Sequence, residues 1–109
     1  MSLDQTIEQA KDLFAELGSV SHRKMFGGAG IYAEGVMFAL VLADEIMIKA
    51  TGSLADDLEA QGSTAFVYEA IGKSSKMSYW RLPETAFDDP EETLNLARRA
   101  LLCAHEAKP

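Results

Sequence analysis

Apolar residues at the two ends of the chain recur at three- and four-residue steps, which is the spacing of amphipathic helices. The first pattern predicts a helix that is capped by Ser2, with Gln5 at the capping-box position, and that ends at Gly18. The second pattern predicts a helix that Asp89 caps and that continues to about Glu106. We expect each helix to bury its apolar side.

The middle of the chain has an apolar period of two, which is typical of strands. Residues 29–51 are predicted to form the three strands of a meander, with tight turns at Glu34-Gly35 and Asp44-Glu45. The second strand, residues 36–43, is apolar at both odd and even positions. We therefore expect both of its faces to be covered.

A short helix and a second pair of strands complete the predicted order. Residues 53–61 are predicted to be helical, with Ser53 and Asp56 in capping-box positions. Strands at 65–71 and 77–82 are joined by a polar turn at 72–76. The order α-β(3)-α-β(2)-α predicts an α+β fold with a five-stranded, mainly antiparallel sheet, and residues 1–109 form a single domain.

Composition and charge narrow the class of protein. The longest apolar run has eight residues, far short of the ~20 that a membrane helix needs, and no export signal is recognisable. Cys103 has no second cysteine to pair with, so a reducing cytoplasm is the expected location. The net charge of −7 disfavours direct binding of nucleic acid by this chain alone.

The sequence offers no convincing catalytic, metal or cofactor site. His22 and His105 lie in separate elements, and Cys103 falls on the apolar side of the last helix, as a packing residue would. The cluster Gly27-Gly28-Ala29-Gly30 has neither the dinucleotide nor the phosphate-loop spacing. Those glycines are predicted to bend the backbone into the sheet and to leave room for a large neighbour.

Positive charge is concentrated in a few stretches of an otherwise acidic chain. His22, Arg23 and Lys24 precede the glycines, Lys73 and Lys76 lie in the second predicted hairpin turn, and Arg81 follows Tyr79 and Trp80. If the stretches converge, they form a basic and aromatic surface for an anionic partner. The alternative is that the aromatic residues are core and the cations form a solvated rim.

The last helix carries a second candidate contact surface. Arg98 and Arg99 lie on its polar side, with Leu102 between them as an apolar anchor. Homodimerisation through this helix, or through an unpaired strand edge, is left open by the sequence.

Several segments together resemble the N-terminal domain of the TfoX/Sxy family: residues 23–32 (RKMFGGAGIY), 35–39 (GVMFA), 48–50 (IKA), 77–83 (MSYWRLP) and 88–91 (DDPE). The resemblance implies a fold similar to secretion-chaperone-like domains. It also implies kinship with two-domain regulators of natural competence that act with a cyclic-AMP receptor protein at promoters. It supplies no catalytic residues.

From these observations we expect a non-enzymatic interaction module that regulates transcription through a protein partner. The residues expected to meet that partner are Arg23, Lys24, Phe26, Lys49, Trp80 and Arg81. The alternative is a small-molecule binder or enzyme with a pocket between the Gly27–Gly30 bend and the Tyr79-Trp80 strand. The observation that would separate these hypotheses is whether Arg23, Lys24, Lys49 and Arg81 share one exposed face.

Overall fold

The computed structural model describes residues 2–25, 27–42, 44–70 and 73–107, with the backbone alone described at 68–70 and 73–77. In chain order the elements are α1 (Leu3–Leu13), β1 (Ser21–Met25), β2 (Gly28–Ala33), β3 (Val36–Leu42), β4 (Glu45–Lys49), α2 (Gly52–Ala60), β5 (Ala65–Ala70), β6 (Lys73–Arg81) and α3 (Pro90–Ala107). Short 3₁₀ turns at Ala15–Leu17 and Glu84–Asp88 follow α1 and precede α3. The predicted α+β class is confirmed.

The strands form one antiparallel sheet in the order β1-β2-β3-β4-β6-β5. Within the described residues the sheet has six strands rather than the predicted five, because Ser21–Met25 pairs with β2 along its whole length, from Ser21 opposite Tyr32 to Met25 opposite Gly28. Four of the five β1 residues are exposed. An edge strand that is polar at odd and even positions has no apolar alternation to reveal it.

The second hairpin also differs from the prediction. The backbone of residues 73–76, predicted as a turn, is part of β6 and pairs with 67–70 of β5. Residue 72, where the predicted turn begins, lies outside the described residues. Backbone pairing in a strand does not require apolar side chains, so the polar composition of this segment was misleading.

Caps predicted for two of the three helices are confirmed. The Ser2 hydroxyl accepts the Gln5 amide at 3.2 Å, and the Gln5 side chain accepts the Ser2 amide at 2.9 Å. Asp89 accepts the amides of the second and third α3 residues at 3.1 and 3.2 Å. The capping box predicted for Ser53 is wrong, because α2 begins one residue earlier with Thr51 as its cap.

Helices α1 and α3 pack on one face of the sheet and enclose the main core. Side chains of residues paired across a sheet point to the same face, and the row Ile31, Ala39, Ile48, Trp80 and Ala65 belongs to this core throughout. Phe14 of α1 meets Phe38 of β3 edge to face, with ring centroids 5.2 Å apart. Cys103 is buried against the sheet side of α3, as its position on the apolar stripe predicted.

The opposite face of the sheet, called the helix-free face below, carries a second and smaller apolar cluster. Its buried members are Leu40, Met47 and Tyr79, and Met37, Leu42 and Phe66 pack around them. None of the described helices contributes a residue to this cluster. Thus β3 is apolar on both sides, but the prediction that both faces are covered is wrong as far as the described helices go, because the second cluster contains none of their residues.

Candidate functional site

One row of paired residues carries two of the predicted partner-binding arginines across the helix-free face. Arg23 of β1 lies opposite Gly30, Gly30 opposite Leu40, Leu40 opposite Met47, and Met47 opposite Arg81 of β6. Four strand spacings separate the two arginines, a distance of roughly 19 Å. They therefore bracket the apolar cluster rather than forming a compact basic patch.

Lys49 lies on the same face as these arginines. It follows Met47 by two residues and is paired with Tyr79. Its ammonium nitrogen lies 5.3 Å from the centroid of the Tyr79 ring, within the range of a cation–π contact. The helix-free face thus brings together Arg23, Lys49 and Arg81.

Lys24 points to the other side of β1, because successive strand residues alternate between faces. Its Nζ lies 2.7 Å from Oδ1 of Asp4 in α1. The hydrogen bond and charge of Lys24, with a smaller contribution from His22, hold the pKa of Asp4 below its ordinary value. Lys24 is therefore a contact between β1 and α1, apart from the other three cations.

Trp80 does not lie on the surface where the sequence placed it. The residue is 7% exposed and sits in the main core, in the row that includes Ile48. A side chain buried between sheet and helices is not accessible as a partner anchor, which corrects that expectation. Phe26, the other predicted anchor, lies outside the described residues.

Tyr79 occupies the aromatic position on the helix-free face that the sequence reasoning assigned to its neighbour. The residue is 6% exposed, and its hydroxyl donates to the Met37 carbonyl oxygen at 3.5 Å. Burial, with a smaller contribution from Tyr32, raises the pKa of Tyr79 to about 12. Strand alternation could have predicted this arrangement, because residues two apart in a strand share a face. Tyr79 therefore lies on the same face as Arg81, and Trp80 lies on the opposite face.

The glycines of β2 shape this face by having no side chain. A Cβ added to Gly28 would collide with the Val41 carbonyl oxygen and would lie 2.5 Å from Cδ2 of Leu42. A Cβ added to Gly30 would collide with the Met37 sulfur. Leu42 and Met37 therefore lie across β2, which confirms the predicted room for large neighbours.

The three cations differ in how far they are already engaged. Arg81 Nε lies 2.5 Å from Glu45 Oε2, and its Nη1 donates to the Thr64 hydroxyl at 3.0 Å. Within the described part of the chain, neither Arg23 nor Lys49 has a carboxylate within 4.0 Å. Of these three cations, Arg23 and Lys49 are thus the ones available to an anionic group.

The two walls of the pocket predicted between the glycine bend and the Tyr79-Trp80 strand are not adjacent in the sheet. Strands β3 and β4 lie between β2 and β6, which separates the two segments by roughly 14 Å. A cavity of about 790 Å³ lies instead at one end of the sheet, lined by Gln61, Arg81, Phe87 and their neighbours. Another, of about 400 Å³, lies beside Arg23 and Tyr32.

The described residues contain neither a metal-binding cluster nor a membrane-spanning helix. Over that part of the chain, no group of three or more His, Cys, Asp or Glu side chains is arranged to hold a metal ion. No described helix combines the length and the apolar character required to cross a bilayer.

Comparison with known proteins identifies relatives over most of the chain. It is 22% identical over 102 residues to Protein Sxy of Escherichia coli K12, a match that covers 94% of this chain and 49% of that protein. It is 26% identical over 86 residues to DNA transformation protein TfoX1 of Aliivibrio fischeri, covering 79% of this chain and 41% of that protein. The chain thus spans about half the length of these curated relatives or less. The model of the TfoX N-terminal domain matches residues 12–104, and the chain belongs to that family.

Proposed function

We propose that this chain is a non-enzymatic interaction module that regulates transcription in the cytoplasm, in the service of DNA transformation, by docking a protein partner on its helix-free face. Membership of the TfoX N-terminal domain family supports the regulatory role, and similarity to DNA transformation protein TfoX1 supports the process. The relatives are about twice as long as this chain, so carrying their regulatory activity over to this chain is itself part of the proposal.

We choose the helix-free face because it combines apolar and cationic side chains. The described apolar side chains of this face that a partner can reach are the half-buried Met37, Leu42 and Phe66, which pack against the buried Leu40, Met47 and Tyr79. Arg23 lies on the edge strand β1, and Lys49 packs against Tyr79. Apolar contacts at the centre and charges at the rim are the usual anatomy of a protein interface. The partner that fits is an apolar surface edged with carboxylates.

The charge of the rest of the chain favours docking in one orientation. Seventeen acidic residues against ten basic ones give a net charge of −7, so an anionic partner is repelled by most of the surface. The cations of the helix-free face then attract that partner locally and determine how it approaches. Met37 beside the centre adds an unbranched, polarizable side chain that can adapt to the contour of a partner.

Adjacent residues of β1 provide a matched test of the face. Arg23→Glu and Lys24→Glu make the same charge change at exposed positions of one strand, but the first alters the helix-free face and the second the helix side. Binding to a purified cyclic-AMP receptor protein, the partner that the family resemblance implies, is measured by biolayer interferometry. We expect Arg23→Glu to weaken binding about tenfold, because a like charge is placed against an acidic rim, and Lys24→Glu to leave it nearly unchanged.

The outcomes separate the parts of the proposal. Equal losses in the two variants, or a loss in Lys24→Glu alone, would refute the choice of face. Failure of the unaltered chain to bind the receptor would refute that partner. Both variants should unfold within about 1 kcal/mol of the unaltered chain, since exposed charges contribute little to stability.

A further inference from the structure

The solvent side of α3 presents an exposed row formed by Arg98, Leu102 and Glu106, spaced four residues apart. Leu102 is 63% exposed, although the apolar stripe of the same helix is buried against the sheet. Residues four apart form the ridge that packs between helices in the commonest class of helix–helix contact. The row is therefore an apolar side chain with a cation on one side and an anion on the other.

The residues beside this row are already engaged within the chain. Arg99 Nη2 lies 2.8 Å from Asp57 Oδ2 of α2, and His105 Nε2 lies 2.8 Å from Glu34 Oε1 in the turn between β2 and β3. Both contacts attach the flanks of α3 to the domain. They leave the central row facing solvent.

Arg98 and Glu106, in contrast, form no ion pair with any described residue. The residues three and four positions from Arg98 are Leu94, Asn95, Leu101 and Leu102, so no carboxylate lies within reach on the helix surface. The same holds for Glu106, which is preceded at these spacings by Cys103 and Leu102.

We propose that two copies of the chain associate through α3 as an antiparallel, two-fold symmetric pair centred on Leu102. Arg98 lies one turn before Leu102 and Glu106 one turn after it, each about 6 Å along the axis at 1.5 Å per residue. An antiparallel copy therefore sets Arg98 opposite the partner's Glu106, and the symmetry repeats the pair on the other side. Leu102 packs against its own copy on the axis.

The extent of this contact sets the strength of the dimer. Within the described part of α3, the symmetric overlap about Leu102 covers residues 97–107. Two short helix segments bury less surface than the roughly 1,200 Å² of a stable specific interface. We therefore expect a weak dimer that dissociates on dilution. Its test measures self-association instead of partner binding, so this proposal stands or falls separately from the proposed function.

Charge exchange tests the geometry. Sedimentation equilibrium is recorded between about 10 µM and 1 mM protein, the range in which weak association is measurable. The variants are Arg98→Glu, Glu106→Arg, the two combined, and Leu102→Glu. Arg23→Glu is the matched control, since it makes the same charge change on the helix-free face. All these positions are exposed, and circular dichroism checks that each variant folds.

We expect each single charge reversal to raise the dimer dissociation constant about tenfold, because each substitution acts twice in a symmetric pair. The combined variant should return to within about threefold of the unaltered chain, and Leu102→Glu should be monomeric throughout. Three results would overturn the proposal: an unaltered chain that is monomeric at every concentration, a combined variant as weak as the singles, or a loss in Arg23→Glu equal to that in Arg98→Glu.

Discussion

Alanine substitutions at the two β2 glycines of the helix-free face, Gly28 and Gly30, should destabilise the fold to different extents, because the added methyl groups meet different kinds of atom. At Gly28 the new methyl group would meet the Val41 carbonyl oxygen, a backbone atom of the neighbouring strand that cannot move without disturbing the ladder. At Gly30 it would meet chiefly the sulfur of Met37, which is near the end of a flexible side chain. The same added atom is therefore accommodated very differently.

The magnitudes follow from these contacts. Inserting a methyl group into a packed site costs about 1–3 kcal/mol, and a clash with backbone places Gly28→Ala at the upper end. Gly30→Ala should lie within about 1 kcal/mol of the unaltered chain, because Met37 can turn aside and alanine reduces the conformational entropy of the unfolded chain. For a domain of this size the Gly28 variant should lose roughly 10 °C or more in Tm.

Urea unfolding followed by circular dichroism measures both variants against the unaltered chain, and comparable slopes would show that the midpoints report stability. The difference between the two variants is the quantity that matters. Equal stabilities, or a Gly30 variant weaker than the Gly28 variant, would refute the explanation of the glycine cluster as clearance for Leu42 and Met37.

Three further predictions test the fold and the charge distribution. Because burial disfavours the Tyr79 phenolate, the folded chain keeps this proton between pH 10 and about 12, whereas the unfolded chain loses it. The free energy of unfolding should therefore fall as the pH rises through that window. In a spectrophotometric titration of the tyrosines, the step at the highest pH should be absent from Tyr79→Phe. Trp80→Ala should cost about 3–5 kcal/mol in urea unfolding, and a surface-like loss below about 1 kcal/mol would contradict its place in the core. A DNA fragment should not be retarded by the chain in a gel at ~50 mM salt; clear retardation there would contradict the expectation from the net charge of −7.

Elements with a strong local signal could be predicted from the sequence. The Ser2 and Asp89 caps, the apolar stripe of α3 and the Glu34-Gly35 turn are local patterns, and the structure has them. Strand β1 could not be found in this way, because its pairing with β2 depends on backbone hydrogen bonds that impose no pattern on exposed side chains.

The candidate site was harder to predict from the sequence than the fold. Arg23 and Lys24 are neighbours in the chain but face opposite sides of the sheet, and recognising this requires knowing that β1 is a strand. The strand order is equally hidden from local patterns. It determines that Arg81 stands in the same row as Arg23, four strands away.

The thioethers of the helix-free face make that surface chemically sensitive as well as adaptable. Met25 and Met37 are half-buried and approach Gly30, whereas Met47 on the same face is fully buried. Peroxide should therefore attack the two outer sulfurs first and convert them to polar sulfoxides. The chain would then lose apolar contact area on one side while its helical side stayed intact, so oxidative stress would act on docking before it acted on folding.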